Sequence, residues 1–259
     1  MPKINIENIL NKKNIIPITC LTAYSKITAQ LSDGVCDIIL VGDSLGQVLY
    51  GMKTTKDVNL DTMILHGKAV KQHVKKSLVV VDMPYKTYTN KFNAYKNAKK
   101  IIQSTNCDAV KLEGGKSIAK IINYLVRKNI KVMGHIGLLP QSSKNFKTKG
   151  RTPADKKKIL DDAIAISNSG AFAIVIECVV EDLAKSITKQ ISIPTIGIGA
   201  SRYCDGQILV IDDMLGLSDF SPKFVKQYSY LKKIAKKAIK NYAKDVRLRK
   251  FPFIRNVYK

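Results

Sequence analysis

Short apolar runs rich in β-branched residues recur along the chain, and helix-length segments separate them. A strand with one face in water alternates apolar and polar side chains, whereas a nearly continuous apolar run indicates a strand covered on both faces. The chain contains eight such runs, at 17–21, 37–43, 78–82, 109–113, 131–135, 171–177, 194–199 and 207–211. These runs predict a buried parallel sheet at the centre of the molecule.

The segments between these runs have amphipathic or helix-compatible composition. They predict helices over 62–74, 90–104, 117–127, 155–169 and 181–189. Strands that alternate with helices indicate repeated β/α units. A doubly wound open sheet would give a similar pattern, but the count of eight favours a closed barrel, which needs about 250 residues. The sequence therefore predicts an α/β fold, a single-domain (β/α)8 TIM barrel over 1–259 with a short N-terminal extension.

The last part of the chain predicts a basic amphipathic helix within 224–246. Its apolar residues recur at helical spacing. They are Leu231, Ile234, Ala235, Ala238, Ile239 and Tyr242. We expect this helix to pack on the barrel or on a neighbouring subunit, and a helix lying on a membrane surface is the alternative.

Polar and charged residues cluster where the predicted strands end. Active sites of α/β barrels occupy the mouth formed by the C-terminal ends of the strands. The residues at these ends are Asp43, Ser44, Asp82, Lys111, Glu113, His135 and Glu177. Lys111 and Glu113 are two positions apart on one strand, so their side chains should point to the same side.

The carboxylates of Asp43, Asp82 and Glu113 predict a metal site. Neighbouring carboxylates repel one another unless a cation neutralises them, and oxygen ligands favour Mg²⁺. The competing interpretation is that an aspartate just after a strand caps the next helix. His135 has no His or Cys partner at metal-ligand spacing, so a hydrogen bond to substrate or a structural role fits it better than metal binding.

Glu177 ends an apolar run and is the candidate general base. Apolar surroundings disfavour a charged carboxylate and raise its affinity for a proton, which suits a base. A buried ion pair is the alternative explanation for a carboxylate at this position.

Residues 42–46 read Gly-Asp-Ser-Leu-Gly and match the G-x-S-x-G pattern of serine hydrolases. That pattern needs a histidine base, which normally lies well downstream of the serine. The histidines of the chain are His66, His73 and His135, and none follows His135. The missing downstream histidine argues against a serine hydrolase.

A formal net charge of +24 invites the hypothesis of nucleic-acid binding. Lysine makes up 38 of the 44 basic residues, however, and it is spread along the whole chain. No zinc-finger, RNP or recognition-helix pattern accompanies the charge. We therefore expect no specific nucleic-acid binding.

The sequence contains neither the apolar stretch of a secretory signal nor a run long enough to span a membrane. Its five cysteines are scattered and form no C-x-x-C pair, which indicates reduced thiols. We expect a cytoplasmic protein with no membrane partner.

Eight short motifs together resemble those of the ketopantoate hydroxymethyltransferase family. They are TAY at 22–24, LVGDSLG at 40–46, VDMPY at 81–85, VKLEGG at 110–115, GHIGL at 134–138, ECV at 177–179, IGIGA at 196–200 and DGQ at 205–207. Each motif alone is weak, but their order and spacing extend over nearly the whole chain. The resemblance implies a phosphoenolpyruvate/pyruvate-type barrel and a homo-oligomer, typically a homodecamer.

The resemblance also implies a reaction. Family members transfer a hydroxymethyl group from 5,10-methylenetetrahydrofolate to the 2-oxo acid 3-methyl-2-oxobutanoate, giving 2-dehydropantoate in pantothenate biosynthesis. The transfer proceeds through an enolate that Mg²⁺ stabilises. A Mg²⁺-dependent carbon–carbon lyase of the phosphoenolpyruvate-mutase type, which uses a similar barrel and an enolate, is the alternative function.

The resemblance assigns roles to the residues at the strand ends. Asp43 and Asp82 resemble direct Mg²⁺ ligands, Glu113 resembles a ligand through water, and Glu177 resembles the base. The residues that resemble substrate-binding groups are Asp43, Ser44, Asp82, Lys111 and His135.

The chain departs from the family pattern at two loops. Ser25 stands where an aspartate commonly follows the Thr-Ala-Tyr motif. The loop at 141–151 is shorter than usual and lacks a Gly-Gly-Tyr sequence. We expect this shortening to affect lid closure or contact with folate.

Overall fold

The computed structural model describes residues 2–143, 147–219 and 222–258. The chain divides into two compact units, Met1–Ile211 and Asp212–Lys259. The first unit is a closed barrel of eight parallel strands, in which neighbours in sequence pair and the first strand pairs with the last. The predicted TIM barrel is therefore confirmed. Part of the shortened loop, 144–146, lies outside the described residues.

The eight strands coincide with the eight apolar runs, and no strand end differs from its predicted position by more than two residues. The strands are β1 Ile18–Thr22, β2 Ile38–Val41, β3 Leu78–Asp82, β4 Ala109–Glu113, β5 Val132–Gly137, β6 Ala173–Glu177, β7 Thr195–Ile198 and β8 Gly206–Leu209. The predicted run 37–43 placed Asp43 within the strand. Because β2 ends at Val41, Asp43 instead lies in the loop that follows the strand.

Helices connect the strands on the outside of the barrel, as expected for β/α units. They are α2 Lys26–Ser32, α3 Leu45–Val48, α4 Leu60–Lys71, α5 Lys91–Thr105, α6 Ala119–Arg127, α7 Pro153–Asn168 and α8 Glu181–Gln190. The short helix α1 Ile6–Leu10 precedes β1, and the short helix α9 Ile211–Met214 follows β8. Two 3-10 turns of the first unit lie at Thr55–Asp57 and Lys116–Ile118, and one of the second unit lies at Ile254–Asn256.

Side-chain caps fix where several of these helices begin. Asn59, Asn90 and Thr152 each accept a backbone N–H from the first turn of α4, α5 and α7. Such a cap typically contributes about 1 kcal/mol. Ser25, one of the departures from the family pattern, caps α2 through the N–H of Thr28, so it performs the capping that an aspartate would also perform.

Alternate residues of the strands fill the barrel interior. The interior cluster comprises Ile18, Cys20, Ile38, Leu40, Leu78, Val80, Ala109, Met133, Phe172, Ala173, Val175, Ile196 and Ile208, together with Ile9. Ile9 belongs to α1 and is fully buried, and Ile4 and Ile6 pack against the same cluster. The N-terminal segment therefore closes the end of the barrel opposite to the catalytic mouth of such folds.

Ion pairs hold this closed end together. Asp37, Asp108 and Asp205 each immediately precede a strand, and each accepts a backbone N–H from a neighbouring strand. Lysines from the N-terminal segment neutralise all three. The pairs are Asp37 with Lys12, Asp108 with Lys3 and Lys71, and Asp205 with Lys13.

The second unit contains the predicted basic helix. This helix, α10, spans Leu231–Arg247, so the residues before 231 in the predicted segment 224–246 do not join it. The ring of Tyr242 contacts that of Phe251 edge to face, with centroids 5.7 Å apart. The packing of α10 on the barrel or on a neighbouring subunit stays a prediction. The homodecamer that the resemblance implies also stays a prediction. Among the described residues, no helix combines the length and the apolar character needed to cross a membrane.

Asp108 provides a test of the closed end. Its carboxylate accepts hydrogen bonds from Lys3 at 2.6 Å, from Lys71 at 2.6 Å and from the N–H of Val79 at 2.9 Å. We expect Asp108→Asn to lower the free energy of unfolding by about 2 kcal/mol at pH 7, because hydrogen bonds to a charged partner are lost. Urea unfolding would measure this change.

The pH dependence of the stability that Asp108 provides, and a control variant, complete this test. Burial raises the pKa of Asp108, but hydrogen bonds from Lys3 and Lys71 outweigh burial and hold the pKa below its ordinary value. The stabilisation is thus complete above about pH 4 and is lost as the pH falls through the lowered pKa. Asp61→Asn, in the exposed pair of Asp61 with Lys100, should change stability by less than about 1 kcal/mol. Equal losses in both variants would contradict the expectation.

Candidate active site

The seven predicted site residues all lie at the C-terminal ends of strands. Five of them are at most 6% exposed, namely Asp43, Asp82, Lys111, Glu113 and His135. Ser44 and Glu177 are half-buried at the same mouth. The strand pairing sets Lys111 beside Asp82 and Glu113 beside His135 on neighbouring strands. Residues far apart in sequence therefore form one polar site.

Lys111 is the cation at the centre of this site. Its Nζ lies 3.0 Å from Asp82 Oδ1 and 3.9 Å from Glu113 Oε1. The prediction that Lys111 and Glu113 point to the same side is therefore confirmed. Burial lowers the pKa of Lys111, but the charges of Asp82, Glu113 and Asp43 outweigh burial and raise the pKa above its ordinary value. The side chain is an ammonium ion at neutral pH.

Asp43 completes a group of three buried carboxylates. Its backbone N–H donates to Asp82 Oδ2 at 3.0 Å. Burial, followed by the charges of Asp82 and Glu113, raises the pKa of Asp43 well above its ordinary value. Burial also raises the pKa of Asp82, although Lys111 opposes this shift. We call Asp43, Asp82 and Glu113, with Lys111 among them, the acidic cluster.

The acidic cluster has the composition of a site for a hard divalent cation. Three carboxylates and one ammonium carry a net charge of −2 when all are ionised. Asp82 Oδ1 is buried, and the ammonium of Lys111 lies 3.0 Å from it. In the described part of the chain, no group of three or more His, Cys, Asp or Glu side chains is arranged to hold a metal ion. Mg²⁺ commonly takes one or two carboxylates and completes its shell with water, so two direct ligands suffice.

His135 lies between two glutamates. Its Nδ1 is 3.4 Å from Glu113 Oε1, and its Nε2 is 3.2 Å from Glu177 Oε2. Burial and the charge of Lys111 lower the pKa of His135, but Glu113 and Glu177 outweigh them and raise it to about 9. Lys111 Nζ also lies 3.3 Å from Nδ1. His135 therefore contacts both glutamates and the ammonium of Lys111.

Ser44 is held by a neighbouring tyrosine. It precedes α3 and makes no capping hydrogen bond there, and its Oγ lies 2.7 Å from the hydroxyl of Tyr24. His66 contacts the backbone of this tyrosine, since its Nδ1 lies 2.6 Å from the Tyr24 carbonyl oxygen. Its Nε2 lies 2.8 Å from the hydroxyl of Tyr50. The hydrogen bond of Ser44 thus goes to a tyrosine, which further weakens the serine hydrolase hypothesis.

Gln141 is a site residue that sequence reasoning missed. Its Nε2 donates to Asp43 Oδ2 at 2.7 Å and to the carbonyl oxygen of Met83 at 3.0 Å. Its backbone N–H donates to Glu113 Oε2 at 3.0 Å, and its Oε1 accepts from the hydroxyl of Tyr88. Gln141 therefore holds two members of the acidic cluster in place. Its position shortly after β5 was the available signal, because loops after barrel strands form the mouth.

Comparison with known proteins identifies the family of the chain. The family model described as ketopantoate hydroxymethyltransferase matches residues 3–253. A 3-methyl-2-oxobutanoate hydroxymethyltransferase of Pelagibacter ubique is 53% identical over 253 residues, which cover 98% of each chain. A protein of the same name from Rhizobium etli is 54% identical and covers 94% of this chain and 91% of its own.

Solved structures with a similar fold have low sequence identity to the chain. A phosphonopyruvate hydrolase in complex with oxalate and Mg²⁺ aligns with a TM-score of 0.65 and 11% identity, covering 99% of this chain and 93% of the other. A 2,3-dimethylmalate lyase of the phosphoenolpyruvate mutase/isocitrate lyase superfamily aligns at 0.63 with 12% identity, covering 96% and 85%. These similarities support the barrel fold alone. The match to the family model and the full-length relatives show that the chain belongs to the ketopantoate hydroxymethyltransferase family and is a transferase.

Proposed function

We propose that this enzyme transfers a hydroxymethyl group from 5,10-methylenetetrahydrofolate to 3-methyl-2-oxobutanoate and so forms 2-dehydropantoate. The names of the full-length relatives support this reaction. The observation that carries the proposal is the acidic cluster beside the pair of His135 and Glu177. A site for a divalent cation thus adjoins a carboxylate that can remove a proton.

The acidic cluster fits Mg²⁺ through its oxygen donors and its net negative charge. Asp43 and Asp82 would hold the ion directly, and Glu113 would hold it through water. When bound, Mg²⁺ supplies Lewis-acid polarisation of the keto group, which makes the neighbouring C3 hydrogen acidic.

Lys111, Ser44 and His135 bind the oxo acid in this proposal. The ammonium of Lys111 is fixed by Asp82 and offers positive charge to the substrate oxygens. The hydroxyl of Ser44 can donate to the same group while it accepts from Tyr24. Donors that are fixed before the substrate arrives stabilise developing negative charge without the cost of reorganisation.

Glu177 removes the C3 proton in this proposal. Its side chain is 15% exposed, against 3% for Asp82 and Glu113, so it can reach a substrate that enters from the mouth. The electron pair left at C3 forms a carbon–carbon bond with the one-carbon unit of the donor. Both bonds between that carbon and the folate nitrogens N5 and N10 break, water supplies the hydroxyl oxygen of the product, and the two nitrogens take up the proton released from C3 and the remaining proton of water.

We expect Glu177→Gln to lower the exchange of the C3 hydrogen of 3-methyl-2-oxobutanoate by at least about a hundredfold, because the amide cannot accept the proton. NMR in D₂O with Mg²⁺ would follow this exchange without any folate. Glu181→Gln at the exposed start of α8 is the matched control and should retain wild-type exchange. Undiminished exchange in Glu177→Gln would remove this residue from its role.

We expect Asp82→Asn to weaken the binding of Mn²⁺, used in place of Mg²⁺, by at least about tenfold. Loss of a supporting group beyond the ligands already costs tenfold or more, and a direct ligand should cost no less. Electron paramagnetic resonance of free Mn²⁺ would measure the affinity. Asp161→Asn on the exposed face of α7 should bind as the wild type does. Unchanged affinity in Asp82→Asn would contradict the proposed metal site.

The same protein preparations test the alternative lyase function. Cleavage of a 2-hydroxy dicarboxylate, without any product that depends on folate, would favour the lyase. Formation of 2-dehydropantoate only when the folate donor is present would favour the transferase.

A further inference from the structure

A second polar region lies at the barrel mouth, outside the acidic cluster. It is a cavity of about 290 Å³. The polar residues that line it are Gln47, Lys53, Thr54, Thr55, Lys56 and Ser143. We call it the basic cavity. None of the described residues that line it is acidic, so its charge is opposite to that of the acidic cluster.

The basic cavity shares two chain segments with the acidic cluster. Gln47 belongs to α3, which begins directly after Ser44. Pro140 and Ser143 also border the cavity, and between them lies Gln141, whose side chain bonds Asp43. A ligand that occupies the cavity therefore lies beside the place where we propose that the oxo acid binds.

The cations of the basic cavity are not neutralised. Within the described part of the chain, neither Lys53 nor Lys56 forms an ion pair, whereas Lys111 is paired with Asp82. Thr55 is 3% exposed, and its Oγ1 has no hydrogen-bond partner among the described residues. Unpaired lysines are common in a chain of charge +24, but these two converge on one cavity with hydroxyl groups. Such a lining is suited to a carboxylate or phosphate.

An aromatic ring lies next to one of these lysines. Tyr85 lies three positions after Asp82, and its ring is 36% exposed. The Nζ of Lys56 lies 5.6 Å from the centroid of this ring, and that of Lys86 lies 5.5 Å away. An exposed aromatic ring thus lies beside a lysine of the basic cavity. A ligand that carries both an aromatic ring and a carboxylate matches this pair of groups.

We propose that the basic cavity binds the carboxylates of the glutamate tail of the folate co-substrate, with Lys53 and Lys56 as the principal contacts. This inference rests on the proposed function. The one-carbon end of the folate co-substrate must approach the acidic cluster. The negative charge of this cluster repels the carboxylates of the glutamate tail. The tail therefore needs cations at a distance from that cluster, and Lys111 is already engaged by Asp82. Each further glutamate adds a carboxylate, so a longer tail should bind more tightly.

The kinetic test uses the double variant Lys53→Gln with Lys56→Gln, which keeps a polar side chain of similar but shorter length and removes the charge. We expect the KM for 5,10-methylenetetrahydrofolate triglutamate to rise about tenfold, since each exposed pair contributes up to about 1 kcal/mol. The KM for 3-methyl-2-oxobutanoate should change by less than about twofold. The wild type should prefer triglutamate over monoglutamate, and the variant should lose that preference.

The matched control is Lys75→Gln with Lys128→Gln. Both lysines are exposed in loops that lead from a helix into a strand, at the end of the barrel opposite the mouth. This control should keep the wild-type KM for the triglutamate. An equal rise in the control and in the cavity variant would attribute the effect to net charge and overturn the inference.

Two further measurements separate the inference from the proposed function. Exchange of the C3 hydrogen in the wild-type protein needs no donor and tests the proposed function by itself. Equilibrium binding of tetrahydrofolate triglutamate, followed by calorimetry, needs no turnover and tests the cavity directly. Binding about tenfold weaker in the Lys53 and Lys56 variant supports the inference, and equal binding in wild type and variant overturns it even if exchange is normal.

Discussion

The burial of three carboxylates around one lysine is the constraint on which the rest of the site depends. Removing charged groups from water is costly, and mutual attraction offsets the cost only when partners are close and well bonded. Lys111 supplies the partner charge, and Gln141 supplies hydrogen bonds to Asp43 and Glu113. Burial raises the pKa of Asp43, and the charges of Asp82 and Glu113, which one ammonium cannot neutralise, raise it further. The excess negative charge makes the cluster suitable for a divalent cation.

The two ends of the barrel use the same residue types with opposite charge balance. At the closed end, Asp37, Asp108 and Asp205 are each matched by at least one lysine and each bond the backbone of a neighbouring strand. Their charges are compensated within the chain, so they stabilise the fold. At the mouth, carboxylates outnumber their cations, and that imbalance leaves a charge for a ligand to neutralise. Burial alone would not distinguish the two groups, whereas the charge balance does.

Periodicity made the strands and the strand-end acids predictable, because a strand that is covered on both faces must be apolar until it reaches the mouth. Asp82, Lys111 and Glu113 stand out for that reason. Gln141 and Tyr24 do not, since a neutral polar residue in a loop is unremarkable until its partner is known. The partner of the Gln141 amide is Asp43, 98 positions away in sequence. The short helices α2 and α3 were missed because a few residues carry too little periodicity to detect.

A barrel of this shape does not determine which ligands it binds. The phosphonopyruvate hydrolase and the 2,3-dimethylmalate lyase share the fold at 11% and 12% identity, so the fold constrains mainly where a site forms. A net charge of +24 would attract almost any anion to the surface of this chain. Selection must therefore come from how individual cations are held. Lys111 is buried among carboxylates and can contact only a small anion that enters the cluster, whereas Lys53 and Lys56 line a cavity and form no ion pair with any residue that the structure describes. In the reaction that we propose, the two anionic substrates would then bind without competing for one cation.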